Sequence, residues 1–106
     1  MKTITATELN SRLEQADNAL FLLDVREPHE FEICQIPNSH LMPMRSIPNR
    51  LDQLPKDAAI ITICHHGVRS QQVAQFLLQN GFNNITNLIG GINAWAADVD
   101  GSMPTY

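Results

Sequence analysis

The feature that most limits the fold of this chain is a pair of uninterrupted apolar runs, ALFLLDV at 19–25 and AAIITIC at 58–64. Both runs have the length of strands, and neither alternates between apolar and polar residues. A strand with this pattern is buried on both faces, as in a parallel sheet that helices cover on each side. The two runs therefore predict an α/β fold.

Helical patterns lie between the strand patterns. Thr5 and Glu8 have the spacing of a capping box, which predicts a helix over 6–15. Apolar residues at helical spacing predict a second helix over 70–80, with Gly81 as its C-terminal stop. The pair Gly90–Gly91 forms a turn into a last helix.

Weaker signals complete the order of elements. They predict short strands over 39–42 and 84–88, a turn of helix that starts at Pro28, and a helix capped by Ser46 that Pro55 ends. Strands separated by short helices predict one domain over 1–106. Its core is a central, mostly parallel sheet of about five strands with helices on both faces.

Composition narrows the class of protein. The 106 residues are 43% apolar and 17% charged, which suits a single folded domain. A net charge of −4 with no basic run argues against a nucleic-acid partner. The sequence has neither a membrane-length apolar segment nor a signal-peptide pattern, and its two cysteines form no disulfide framework. We therefore expect a cytoplasmic protein with no membrane partner.

The segment after the second apolar run carries the chemistry. Ligands of parallel sheets bind beyond the carboxyl ends of the strands, which is where Cys64 lies. If the following residues curl around the thiol, their N–H groups and the next helix N-terminus favour the reactive thiolate. Gly67 gives the curl its backbone freedom. Arg69 adds charge to this pocket or braces it from beneath.

A thiolate in a small anion cradle has two chemical uses. It can attack phosphorus, which requires a loop wide enough for a tetrahedral phosphate. It can instead attack a sulfane sulfur and hold it as a persulfide, which suits a tighter loop. Both are covalent catalysis in two half-reactions, and residue types alone leave the choice open.

Residues near the loop also have structural interpretations, as alternatives to a catalytic role. Asp24 and Arg26 end another strand, and we favour an ion pair or hydrogen bonds to the loop over direct catalysis. Cys34 is expected to be a packing residue, with a resolving thiol as the alternative. His65 and His66 are either functional or solvated.

Other side chains are assigned to the core or to the surface. Trp95 is expected in the core or the pocket wall. A solvated helix face is expected for three carboxylates, Glu27, Glu30 and Glu32. The spacing of histidines and cysteines predicts no metal site.

Three segments together carry a family resemblance: LLDVREPHEFEICQIP at 22–37, CHHGVRS at 64–70 and GFNNITNLIGGINAW at 81–95. They resemble the D-V-R, C-x-x-G-x-R-[ST] and G-G-x-x-x-W stretches of the rhodanese-homology domain, a single-domain sulfurtransferase. Their order and spacing also match. The resemblance implies an α/β fold around a parallel sheet.

The resemblance also implies a function. In this family a loop of six residues from cysteine to arginine goes with sulfur transfer, whereas related phosphatases and arsenate reductases have one residue more. It implies a sulfane sulfur moved from a small thiosulfonate or persulfide donor to a nucleophilic acceptor through a Cys64 persulfide, without a cofactor. The implied substrate-binding loop is His65, His66, Gly67, Val68 and Arg69, with Asp24, Arg26 and Ser70 in support.

Two details refine the expected partners. Thiosulfate-using members often have Arg or Lys after the cysteine, and His65 holds a dianion less firmly, so thiosulfate is not the expected natural donor. The loop, the GGINAW stretch and the DGSMPTY tail are also similar to the rhodanese-like domain fused to adenylating enzymes of molybdopterin and thiamine biosynthesis. By analogy, a protein sulfur acceptor or a cysteine desulfurase is the expected partner.

The alternative to an enzyme is a non-catalytic module that keeps the fold and docks a partner or regulates one. A docking module has no need of a thiol in an anion cradle. A phosphatase or arsenate reductase is the third hypothesis, and the loop length disfavours it.

Overall fold

The computed structural model describes residues 1–15 and 19–106. Its five strands all pair in parallel, in the spatial order β1-β5-β4-β2-β3. They are β1 (Lys2–Ile4), β2 (Leu20–Asp24), β3 (His40–Leu41), β4 (Ala59–Ile63) and β5 (Ile85–Leu88). The predicted single α/β domain is confirmed, and β4 is the central strand, as expected.

The described residues form four α-helices: α1 (Ala6–Glu14), α2 (Pro28–Ile33), α3 (Val68–Gln79) and α4 (Gly91–Asp98). The first three lie between strands, and α4 follows β5. The predicted capping box is present, since the Thr5 hydroxyl accepts from the Glu8 amide and the Glu8 carboxylate accepts from the Thr5 amide. None of the helices in the described ranges is long and apolar enough to cross a membrane.

Two apolar clusters lie on opposite faces of the sheet, which explains why the central runs show no alternation. Successive side chains of a strand point to opposite faces, and here both faces are covered. One cluster joins the sheet to α1 and α4 through Ile4, Leu9, Leu22, Ile61, Ile63, Ile92 and Trp95. The other joins it to α3 through Leu23, Ile60, Val73, Ala74, Leu77 and Ile85.

The two cysteines belong to different apolar clusters, on opposite faces of the sheet. Cys34 is buried beside α4, Cys64 is buried beside α3, and both are free thiols. Cys34 is buried in an apolar cluster, which fits the interpretation as a packing residue, and its Sγ also accepts a hydrogen bond from Nη1 of Arg26 at 3.9 Å.

The segment from residue 44 to 54 corrects a prediction. Instead of one helix capped by Ser46, it forms two 3₁₀ helices, Met44–Asn49 and Leu51–Gln53. Pro48 lies inside the first of them and has no N–H to donate. The segment therefore closes with tighter bonds three residues apart, such as that from the Arg50 amide to the Ile47 carbonyl.

Candidate active site

Cys64 directly follows the central strand β4, and only 1% of its surface is exposed. The Gly67 amide donates a hydrogen bond to Sγ at 3.0 Å. The loop after β4 therefore curls back over the thiol, as its sequence predicts. A donated N–H stabilises negative charge on this sulfur.

Gly67 makes the tight curl by adopting the left-handed conformation, with φ of +101°. Few other residues adopt this φ without strain. Helix α3 then begins at Val68, two residues before the predicted start at Ser70. Its first amides have no acceptor within the helix, so its positive end lies at the loop beside Cys64.

The start of α4 holds the loop from the other side. The Ile92 amide donates to the Cys64 carbonyl at 2.8 Å, and the Asn93 amide donates to the His65 carbonyl at 3.0 Å. In a trans peptide the C=O and the next N–H point in opposite directions. The amides of His65 and His66 are therefore turned away from α4.

Gly91 permits this close approach. A Cβ at position 91 would lie 2.2 Å from the Cys64 carbonyl oxygen, far inside contact distance. The sequence indicates only a turn at the Gly90–Gly91 pair. Its role in seating the loop depends on the neighbouring strand, which the local sequence does not specify.

A buried polar network supports the base of the loop. The Asn87 side chain donates to the Gly67 carbonyl at 3.2 Å and accepts from the hydroxyls of Ser70 at 2.5 Å and Thr62 at 3.2 Å. Ser70 was expected to support the loop, and it does so through Asn87. Asn87 itself, in β5, was missed because a polar residue in a short strand gives no local signal.

Arg69 forms an ion pair with Glu30 of α2, which is the geometry that a bracing role predicts. Its Nη1 lies 2.7 Å from Oε1 of Glu30, and its Nη2 lies 2.9 Å from Oε2. These bonds lower the pKa of Glu30 to about 2. The expectation that Glu30 is solvated is wrong, because it is 6% exposed and its carboxylate faces Arg69 rather than water.

Asp24 and Arg26 form a buried ion pair, as favoured from the sequence. Both side chains are completely buried, with Nη2 of Arg26 2.8 Å from Oδ2 of Asp24. The same Nη2 donates to the Cys34 carbonyl at 2.6 Å. Burial opposes the charge on Arg26, but the bonds to Asp24 and Tyr106 outweigh it and raise the pKa of Arg26.

The two loop histidines have different surroundings. His65 is half-buried, and its ring stacks on Tyr106 with centroids 3.9 Å apart and planes at 11°. His66 is exposed, with its ring centroid 4.0 Å from that of His65. Val68 is also exposed. Tyr106 was missed as a site residue, since it lies in an irregular tail 37 residues beyond Arg69 along the chain.

A family model described as a rhodanese-like domain matches residues 5–98, a span that contains this loop and all four helices. The chain belongs to the rhodanese-like family. A rhodanese-related protein from Thermoplasma volcanium has a similar structure, with a TM-score of 0.85, 33% identity, and coverage of 93% of this chain and 94% of that one. The resemblance stated from the sequence is confirmed.

Relatives of this rhodanese-like chain include single-domain and fused proteins. A sulfurtransferase from Allochromatium vinosum is 39% identical over 88% of this chain and 86% of its own length. The adenylyltransferase and sulfurtransferase MOCS3-2 of Zea mays is 34% identical over 97% of this chain, but over 23% of its own length. The similarity to sulfurtransferases supports a rhodanese-type enzyme class.

Proposed function

We propose that this protein is a sulfurtransferase that carries a sulfane sulfur as a persulfide on Cys64. The observation that carries the proposal is the hydrogen bond from the Gly67 amide to Sγ, at the end of the central strand and beside the positive end of α3. The thiolate is the nucleophilic form of cysteine, and the Gly67 N–H is placed to donate to its sulfur.

In the first half-reaction, the Cys64 thiolate attacks the outer sulfur of a persulfide or thiosulfonate donor. A new S–S bond forms at Cys64 as the donor's S–S bond breaks. The electron pair leaves with the donor, as a thiolate from a persulfide, as a sulfinate from an organic thiosulfonate or as sulfite from thiosulfate. The N–H groups of the loop and of the first turn of α3 are the hydrogen-bond donors that would stabilise negative charge on the transferred sulfur.

In the second half-reaction, a nucleophilic acceptor attacks the outer sulfur of the persulfide. The acceptor–sulfur bond forms, the Cys64 S–S bond breaks, and its electron pair restores the Cys64 thiolate. Cyanide is an acceptor for assays, and a protein thiol is the proposed acceptor in the cell. The two steps together involve no net oxidation or reduction.

The charges around the loop favour a persulfide over thiosulfate as the donor. Burial lowers the pKa of His65, and the nearby charge of His66 lowers it further, so the imidazole is neutral at pH 7. Arg69 is already engaged by the Glu30 carboxylate. Neither side chain therefore offers an uncompensated positive charge to the thiosulfate dianion.

We further propose that the sulfur exchanges with protein partners in the cytoplasm. A cysteine desulfurase is a suitable donor because it carries a persulfide, and a protein sulfur acceptor is the proposed recipient. Exposed His66 and Val68 at the mouth of the loop offer contact surface to such proteins. Two free cysteines fit a reducing compartment.

Intact-mass spectrometry tests the proposal. The protein is exposed to glutathione persulfide, thiosulfate, mercaptopyruvate or a loaded cysteine desulfurase. We expect a mass gain of one sulfur that reductant removes, that Cys64→Ser abolishes and that the matched control Cys34→Ser retains. No gain with any donor would contradict the proposal and favour a docking module. Cleavage of an aryl phosphate would favour a phosphatase.

A further inference from the structure

Residues 99–106 fold back from the end of α4 towards the loop. The Val99 and Asp100 amides both donate to the Trp95 carbonyl at 2.9 Å. Met103 is buried in the apolar cluster that also contains Trp95. These contacts anchor the segment so that Tyr106 reaches His65, the residue after Cys64.

The Tyr106 hydroxyl joins the two ion pairs beside the loop. It accepts a hydrogen bond from Nη1 of Arg26 at 2.8 Å and donates one to Oε2 of Glu30 at 2.9 Å. Arg26 belongs to the buried pair with Asp24, and Glu30 holds Arg69. One hydroxyl thus links the core to the arginine that ends the loop.

The Tyr106 side chain therefore contacts both flanks of the loop. Its ring lies against His65, at the start, and its hydroxyl holds the partner of Arg69, at the end. We propose that Tyr106 is a positioning residue for sulfur transfer, which fixes the His65 ring and the Glu30–Arg69 pair at the two ends of the loop that follows Cys64. This inference rests on the proposed function.

Packing alone does not account for this placement. Tyr106 remains 42% exposed, so its ring gains only part of the free energy of burial. Its partners through the hydroxyl are both charged, which makes these hydrogen bonds stronger than neutral ones. Burial raises the pKa of Tyr106 to about 12, so the hydroxyl keeps its proton and can donate to Glu30 at neutral pH.

The ring also controls the surroundings of His65. Burial lowers the pKa of this imidazole, the charges on His66, Arg26 and Arg69 lower it further, and Glu30 opposes them. Removing the Tyr106 ring would expose the imidazole to water, so its pKa should rise towards the usual 6.5. Removing only the hydroxyl should leave the stacking, and hence this titration, almost unchanged.

Two variants separate the ring from the hydroxyl, and a third is the control. Tyr106→Phe keeps the stack and removes the bridge, whereas Tyr106→Ala removes both. Thr105→Ala changes an exposed neighbour in the same segment. NMR titration of the His65 ring measures the effect of removing the Tyr106 ring. The rate of Cys64 persulfide formation from glutathione persulfide measures the effect of removing the hydroxyl bridge.

We expect Tyr106→Ala to raise the pKa of His65 and Tyr106→Phe to leave it unchanged. Loading of Cys64 should slow about 10-fold in Tyr106→Phe and further in Tyr106→Ala, with Thr105→Ala at the wild-type rate. Wild-type loading rates in both Tyr106 variants, or an unmoved His65 titration in Tyr106→Ala, would overturn the inference. Failure of wild-type protein to load would instead refute the proposed function, and the His65 titration would still test the ring.

Discussion

Arg69 and Glu30 meet through two parallel hydrogen bonds, of 2.7 and 2.9 Å, that join the end of the Cys64 loop to α2. This geometry requires the planar fork of a guanidinium. We therefore expect Arg69→Lys, which keeps the charge, to slow persulfide formation about 10-fold, and Arg69→Ala to slow it more. Stopped-flow loading of Cys64 measures both, with the exposed Arg45→Lys as control. Full activity in Arg69→Ala would contradict a bracing role.

The same pair should make stability depend on pH at the acid end. The pKa of Glu30 falls from 4.5 to about 2 on folding. A carboxylate with a lowered pKa stabilises the fold above pH 4.5, and this contribution disappears as the pH falls towards 2. Urea unfolding should show Glu30→Gln to be less stable than wild type by about 2 kcal/mol at pH 7. The gap should narrow on acidification, and a gap that stays constant from pH 7 to pH 3 would refute this assignment.

Gly91 should tolerate no side chain. A Cβ there would collide with the Cys64 carbonyl, so Gly91→Ala must displace either α4 or the loop. We expect a loss of about 1–3 kcal/mol in the free energy of unfolding, together with slower loading of Cys64. Gly101→Ala is the matched control, because a Cβ at that position has open space. Equal stability of the two variants would show that α4 does not seat the loop as described.

Asn87 should matter for stability although it does not touch the thiol. Asn87→Ala would leave the Gly67 carbonyl and the Ser70 and Thr62 hydroxyls without their buried partner. We expect a cost of about 2 kcal/mol by urea unfolding. Asn49→Ala, at an exposed position, should cost less than about 0.5 kcal/mol. A negligible effect at Asn87 would mean that water replaces the amide.

Donor preference should follow the charge at position 65. His65→Arg places a permanent positive charge after Cys64, so loading from thiosulfate should rise about 10-fold relative to glutathione persulfide. In wild type, thiosulfate loading should rise as the pH falls through the lowered pKa of His65 and the imidazole gains its proton. His40→Arg adds the same charge at an exposed position on the edge strand β3. An equal response in both variants would indicate a general effect of net charge.

The sequence predicted the elements whose signals are local. The two apolar runs, the Thr5–Glu8 capping box and the Gly67 curl each follow from neighbouring residues, and all three are present. Strand β1 was missed because it has three residues and depends on pairing with β5. A strand held at the sheet edge by a partner more than 80 residues away leaves little trace in its own composition.

The site shows the same division between local and distant information. Cys64, Gly67 and Arg69 lie within six residues and were recognisable together. Glu30 lies in a segment whose charged residues are typical of a surface helix. Only the tertiary fold brings its carboxylate to Arg69. Tyr106 and Asn87 likewise acquire their contacts from packing between segments far apart in the chain.

The central position of β4 has a consequence for which parts of the fold open first. A strand with neighbours on both sides exchanges its amide hydrogens mainly when the whole domain opens, whereas edge strands such as β1 and β3 fray locally. We therefore expect β4, which precedes Cys64, to exchange its amide hydrogens more slowly than the edge strands. Partial opening at the edges of the sheet would leave the Cys64 sulfur in place. Local unfolding should therefore begin at the edge strands, far from the reactive atom.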